Sequence, residues 1–111
     1  RSLVGSEMCI RDRFYGAPVV LVVLADKSVG TYKYDGSLVM ENLMLAANAV
    51  GLGSCWIHRA KEEFESEEGR ELLRQLGISG DYEGIGHCIL GYPAGDIPAE
   101  KPRKENWVYK I

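Results

Sequence analysis

Near its carboxyl end the chain carries the stretch EKPRKEN, which sets Lys101, Arg103 and Lys104 on a loop that Pro102 stiffens. Lys101 and Arg103 stand two apart, so in an extended segment both side chains leave from one face. Such a pair suits a phosphate, with arginine giving forked donors and lysine a point charge; the plain alternative is a solvated basic loop. Further back, GLGS brings Gly51 and Gly53, whose backbone can approach a flat ligand because no side chain intervenes. A full GxGxxG is absent, and the same four residues also read as a helix end followed by a turn. Trp56, Tyr92 and Trp107 could stack on a ring, or pack in a core or an interface.

Cys55, His58, His87 and Cys88 raise the question of a metal. His87 and Cys88 are neighbours on an expected strand and point to opposite faces, so they cannot share one ion without a bulge. No metal site is expected. Three cysteines without CxxC spacing suggest neither a disulfide framework nor a zinc ribbon. Cys55 lies in an apolar stretch where a thiol is usually core, and no residue is nominated as a catalytic acid, base or nucleophile.

These residues need a frame, and the hydrophobic pattern supplies one. APVVLVVLAD is a continuous apolar run rich in valine, which reads as a central strand covered on both faces. From Asp35 or Ser37 as a cap, the segment up to Val50 reads as a helix that Gly51 ends. Among its residues only Glu41, Asn42 and Asn48 are polar, so it must be buried nearly all round. So short a chain can hardly wrap it alone, which implies a further segment, a second subunit, or both. A short extended piece follows through Trp56. KEEFESEEGRELLRQLGI then reads as one helix from about Ser66, with Leu72, Leu73 and Leu76 inward and Gly77 at its end. YEGIGHCILGYP alternates as a strand that Pro93 stops, and WVYKI reads as a short terminal strand.

The 111 residues suffice for one domain, and 46% hydrophobic with 26% charged is an ordinary globular balance. The net charge is −3, and without residues 1–13 it becomes ten basic against fourteen acidic residues, which argues against a nucleic-acid partner. No run is long and apolar enough for a membrane span, and a reduced cytoplasmic protein is expected. The opening RSLVGSEMCIRDR has no hydrophobic period and resembles translated sequencing adaptor, so residues 1–13 are read as a non-native leader and 14–111 as the protein proper.

Taken in order, APVVLVVLAD, ENLMLAANAVGLGSCWI, the Gly-Tyr-Pro of LGYP and KPRK resemble the C-terminal half of the FMN-dependent nitroreductase family. The resemblance implies an α+β fold, a mixed and mostly antiparallel sheet flanked by helices, incomplete because the N-terminal half is missing. It implies a homodimer around the helix at 37–50, with FMN at the interface and NAD(P)H as co-substrate. By position it puts Lys101 and Arg103 on the FMN phosphate. Gly53, Trp56, Ile57 and His58 fall beside the flavin ring, where a backbone amide near His58 reaches the reactive nitrogen. The implied activity is reduction of nitroaromatic, quinone or related small-molecule acceptors by ping-pong hydride transfer. The alternatives are a non-catalytic dimeric binding module on the same scaffold and a related flavin enzyme such as a dehalogenase. Some members carry Glu-Gly where this chain has His58 and Arg59, and the family's arginine-rich N-terminal segment has no counterpart here.

Overall fold

The computed structural model describes residues 14–96 and 98–111; the leader proposed for residues 1–13 lies outside them. Six elements follow in order: β1 (Val19–Asp26), α1 (Tyr32–Ala49), β2 (Gly53–Ile57), α2 (Ala60–Glu65), α3 (Glu67–Gln75) and β3 (Tyr82–Gly91). The strands form an antiparallel sheet in the order β1-β3-β2, flanked by helices, as the expected α+β class requires.

The last strand is the middle one. β3 pairs with β1 from Val19↔Leu90 to Asp26↔Tyr82 and with β2 from Gly53↔Gly91 to Ile57↔His87, and residues 83–89 are all buried. One face of β3 meets α1, where Val23, Met40, Ile85 and Cys88 form the core and Trp56, Leu43 and Met44 pack against it. The other face meets α2 and Phe14: a Cβ on Gly84 would collide with Ala60, and the Phe14 ring lies 4.7 Å from that of His87. A bulge reconciles the two faces. Val23 opposes Gly86 and Leu24 opposes Gly84, so Ile85 is the extra residue. Ile85 packs on Gly36 of α1 and Gly86 lies under the Trp56 ring, so two successive residues serve the α1 side.

Several expectations need correction. Among the described residues β1 is an edge strand rather than a central one, and Val19, Leu21 and Val22 remain exposed. A continuous apolar run records that a strand will be covered; it does not record by what. Helix α1 starts at Tyr32, five residues before Ser37, and neither expected cap acts as one: Asp35 accepts from the Thr31 hydroxyl, while Ser37 donates to the Lys33 carbonyl. Its C-terminus does end at glycine. Gly51 takes φ +83°, its N–H donates to Asn48 and that of Leu52 to Ala47, which closes a Schellman motif. Only Gly36, Met40 and Ala47 of α1 are buried, leaving Leu38, Leu45 and Val50 more than half exposed.

The helix expected from about Ser66 forms as α3, and a second, short helix, α2, precedes it. Ser66 is extended, ends α2 and caps α3 by accepting from the Gly69 N–H, while its own hydroxyl donates to the Glu63 carbonyl. Leu72 and Leu73 are half-buried as expected, but Leu76 has left the helix and is exposed. The terminal strand expected at WVYKI does not form, and Trp107, Val108, Tyr109 and Ile111 are exposed, because among the described residues no strand offers them a ladder.

The contact between Gly84 and Ala60 holds α2 against the sheet through backbone, which cannot rotate away. We expect Gly84→Ala to cost about 1–3 kcal/mol by overpacking, read as a lower urea midpoint. An unchanged midpoint would show that α2 is not seated on β3.

Candidate functional site

Gly51 ends α1 in a left-handed turn, and two residues later β2 begins opposite Gly91, the last residue of β3. Gly53, Ser54 and Cys55 are exposed there and border an open recess of about 240 Å³ with Phe14, Tyr15 and Tyr92. β2 then runs inward. Trp56 is half-buried with its ring over Gly86, and its indole N–H is sealed from solvent with no hydrogen-bond partner among the described residues. Ile57 is half-buried opposite His87. The strand ends in an exposed turn of His58 and Arg59, with the His58 ring 6.2 Å from that of Trp56.

Trp56, Ile57 and His58 are therefore brought together at the inner end of β2. Gly53 is not with them: five residues of extended chain separate it from His58, about 17 Å. Lys101 and Arg103 lie on the irregular segment after β3, both exposed, and make no hydrogen bond or ion pair with β2 among the described residues. Arg103 instead donates to the Glu100 carboxylate at 2.8 Å, and Lys104 stands 5.1 Å from the centre of the Trp107 ring. A larger recess of about 520 Å³ opens between β1 and α1, lined by Leu21, Asp26, Tyr32, Val39 and Leu43, and takes in none of the six expected site residues. Among the described residues no group of three or more His, Cys, Asp or Glu could hold a metal ion.

Beneath the His58–Arg59 turn lies a pair that sequence patterning did not single out. Glu63 of α2 reaches His87 of β3, with Oε1 2.9 Å from Nε2, while its Oε2 lies 3.9 Å from Arg59 Nε. His87 is 3% exposed, with the Phe14 and Phe64 ring centres 4.7 and 6.2 Å from its own, and its Nδ1 is buried without a hydrogen-bond partner among the described residues. Burial pushes the His87 pKa below its ordinary 6.5 and outweighs the opposing pull of Glu63. The imidazole is thus neutral at pH 7, and a carboxylate partner assigns the proton to Nε2, which donates. Sequence offered a weak signal only: a histidine between small and apolar residues in a strand, with an acidic helix nearby. His87 and Cys88 do point to opposite faces, since Cys88 belongs to the α1 core.

Against known proteins, residues 3–92 match the nitroreductase family, a span that begins within the first thirteen residues and stops short of Lys101 and Arg103. The chain belongs to that family. It is 35% identical over 82 residues to an Archaeoglobus fulgidus protein provisionally named an NADH dehydrogenase/NAD(P)H nitroreductase, covering 69% of this chain and 45% of the relative. A Bacteroides fragilis nitroreductase solved with bound FMN superposes with a TM-score of 0.77 at 29% identity, over 88% of this chain and 53% of that one. An FMN-dependent nitroreductase of Clostridium difficile gives 0.74 at 22% identity, over 94% and 68%, and supports the fold. The chain spans about half the length of the first two. Its three-stranded antiparallel sheet with flanking helices is part of the nitroreductase fold.

The depressed pKa of His87 makes a signed prediction. Below pH 6.5 the unfolded chain binds a proton that the folded chain refuses, so stability falls as pH drops through that value and is flat with respect to His87 above it. The urea midpoint should decline from pH 7 toward about pH 5, above the range where carboxylates titrate, and His87→Gln should remove that decline. An identical slope in the variant would sink the assignment.

Proposed function

We propose that the chain is part of an FMN-dependent NAD(P)H oxidoreductase that reduces nitroaromatic, quinone or related small acceptors. The observation that carries this reading is the likeness, at 29% identity and a TM-score of 0.77, to a Bacteroides fragilis nitroreductase whose structure holds FMN. The name of the Archaeoglobus fulgidus relative supports NAD(P)H as co-substrate. The chemistry supplied by the bound group would be hydride acceptance from the nicotinamide and hydride delivery to the acceptor, in alternation.

The residues present fit such a group in their donor chemistry. Lys101 and Arg103 are solvent-exposed cations fit to hold a phosphate dianion. The Arg103–Glu100 pair is no obstacle, because a fully exposed ion pair contributes little and a phosphate offers a stronger partner. At the end of β2 the exposed His58 turn offers peptide N–H groups to a ring edge, with Trp56 and Ile57 behind it and Gly53 leaving the strand's start uncrowded. Every role proposed here is one of binding and orientation, with no side chain assigned to proton transfer.

A homodimer fits the same reading. Leu38 and Leu45, seven residues apart on one face of α1, present an apolar outer surface that a second copy would cover, and the chain would be a cytoplasmic protein. No helix among the described residues is long and apolar enough to cross a membrane. Residues 1–13 are proposed as a non-native leader, with 14–111 the nitroreductase-like part. The rival reading is a non-catalytic dimeric binding module on the same scaffold.

Substitution of Lys101 and Arg103 by alanine separates the two. Loss of two charge-assisted phosphate contacts should weaken FMN binding by about a hundredfold in a fluorescence titration, whereas the scaffold reading requires no change. This chain alone is expected to be inactive; a complete protein, N-terminal half included, that stays colourless and does not bleach with NADH or NADPH under nitrogen would overturn the flavoenzyme reading.

A further inference from the structure

The proposed flavin contact depends on a peptide N–H in the His58–Arg59 turn, and that turn is exposed and short. It has little to hold it locally. Arg59 occupies the N-cap position of α2 with no side-chain cap, and its carbonyl accepts from Glu63 N–H at 3.1 Å. A loop that must present a donor to within a few tenths of an ångström needs support from elsewhere.

We propose that Glu63 and His87 are positioning residues: the Glu63 carboxylate, anchored by the buried His87 imidazole, fixes the His58–Arg59 turn against the sheet. Three observations converge on this. Glu63 spans two elements with its two oxygens, Oε1 to His87 at 2.9 Å and Oε2 toward Arg59 at 3.9 Å. His87 offers a fixed anchor, because it is buried beside Phe14 and Phe64 and paired with Ile57, the residue just before the turn. The strand that carries His87 is in turn locked to α2 where Gly84 meets Ala60. The turn is therefore held at both ends, by the β2–β3 ladder at Ile57 and, at Arg59, by the Glu63 N–H on its carbonyl, Glu63 itself being pinned to His87; the half-exposed 3.9 Å contact with Arg59 Nε adds little.

A buried imidazole with one nitrogen left unpaired is a costly way to fill a core, and an apolar residue would pack there more cheaply. What the imidazole adds is an N–H aimed at Glu63. The carboxylate thereby keeps one oxygen fixed while the other faces Arg59. The arrangement is directional in a way that packing alone is not.

The inference rests on the proposed function only for the use made of the turn, so the test has two arms. In the cofactor-free chain, amide hydrogen exchange at residues 58–60 is compared for wild type, Glu63→Ala, Glu63→Gln and, as a control for general destabilisation, Met40→Ala in the other core. Glu63→Ala should accelerate exchange at 58–60 by about tenfold over any change in β1 and β3, the equivalent of one lost charged hydrogen bond. Glu63→Gln, which keeps an acceptor for His87 Nε2–H, should restore most of the protection. Acceleration at 58–60 no greater than in Met40→Ala overturns the proposal, as does a glutamine variant as fast as the alanine one.

The second arm titrates FMN against the complete protein, N-terminal half included, carrying the same substitutions. Wild type should bind, Glu63→Ala about tenfold more weakly, and Glu63→Gln close to wild type. A complete wild-type protein that binds no FMN refutes the flavin reading while the exchange arm still decides whether Glu63 fixes the turn. Binding that Glu63→Ala leaves unchanged would show that the turn does not serve the flavin.

Discussion

Everything in this structure depends on β3 being covered on both faces. A strand in that position must supply a ladder on each edge and a tailored surface above and below. Residues 83–89 meet these demands with two glycines, two long aliphatic residues, a cysteine, a histidine and a glutamate. The glycines admit Ala60 on one side and the Trp56 ring on the other. The glutamate is tolerated because Tyr32, at the first turn of α1, donates its hydroxyl to Glu83 Oε1 at 3.1 Å. That same bond ties the start of α1 to the sheet, so the polar exceptions in the strand are also its fasteners.

The candidate site inherits its form from this strand. β2 is short and lies at the sheet edge, with exposed residues at its start and half-buried ones at its end. Where it touches β3 it is held by the ladder, and where it leaves, it turns into α2, which is seated on the far face. The site is thus a seam between the two layers that β3 separates. The segment bearing Lys101 and Arg103 is different in kind, since it is irregular, exposed and outside the part of the chain that matches the family.

Punctuation was the most legible part of the sequence. Gly51 and Gly77 end their helices with positive φ, and Ser66 caps α3, because a left-handed turn and an exposed N–H each favour few residue types. Rank within the sheet was not legible. The valine-rich run became an edge strand, while the plainer YEGIGHCILG took the middle, because centrality follows from which partners are present and not from apolarity alone. The early start of α1 was hidden by Tyr32, Lys33 and Tyr34, which lack the apolar period. The Glu63–His87 pair left only a weak trace for a related reason: residues 24 apart meet only after α2 folds back over the sheet. The resemblance to the nitroreductases supplied what periodicity could not, assigning Trp56, Ile57 and His58 to the flavin ring and the loop cations, which lie on the irregular segment after β3, to its phosphate.

The bulge at Ile85 bears on how such a chain tolerates change in length. An inserted residue normally inverts every side chain beyond it, but here Ile85 and Gly86 serve the same layer, so Glu83 and Gly84 on one side and His87 and Cys88 on the other keep their assignments. The strand carries one residue more than its neighbour without exchanging its two cores. Relatives one residue shorter at this position would therefore preserve the same inside and outside, whereas a gap two residues further along would trade His87 for Cys88 and dissolve the seam.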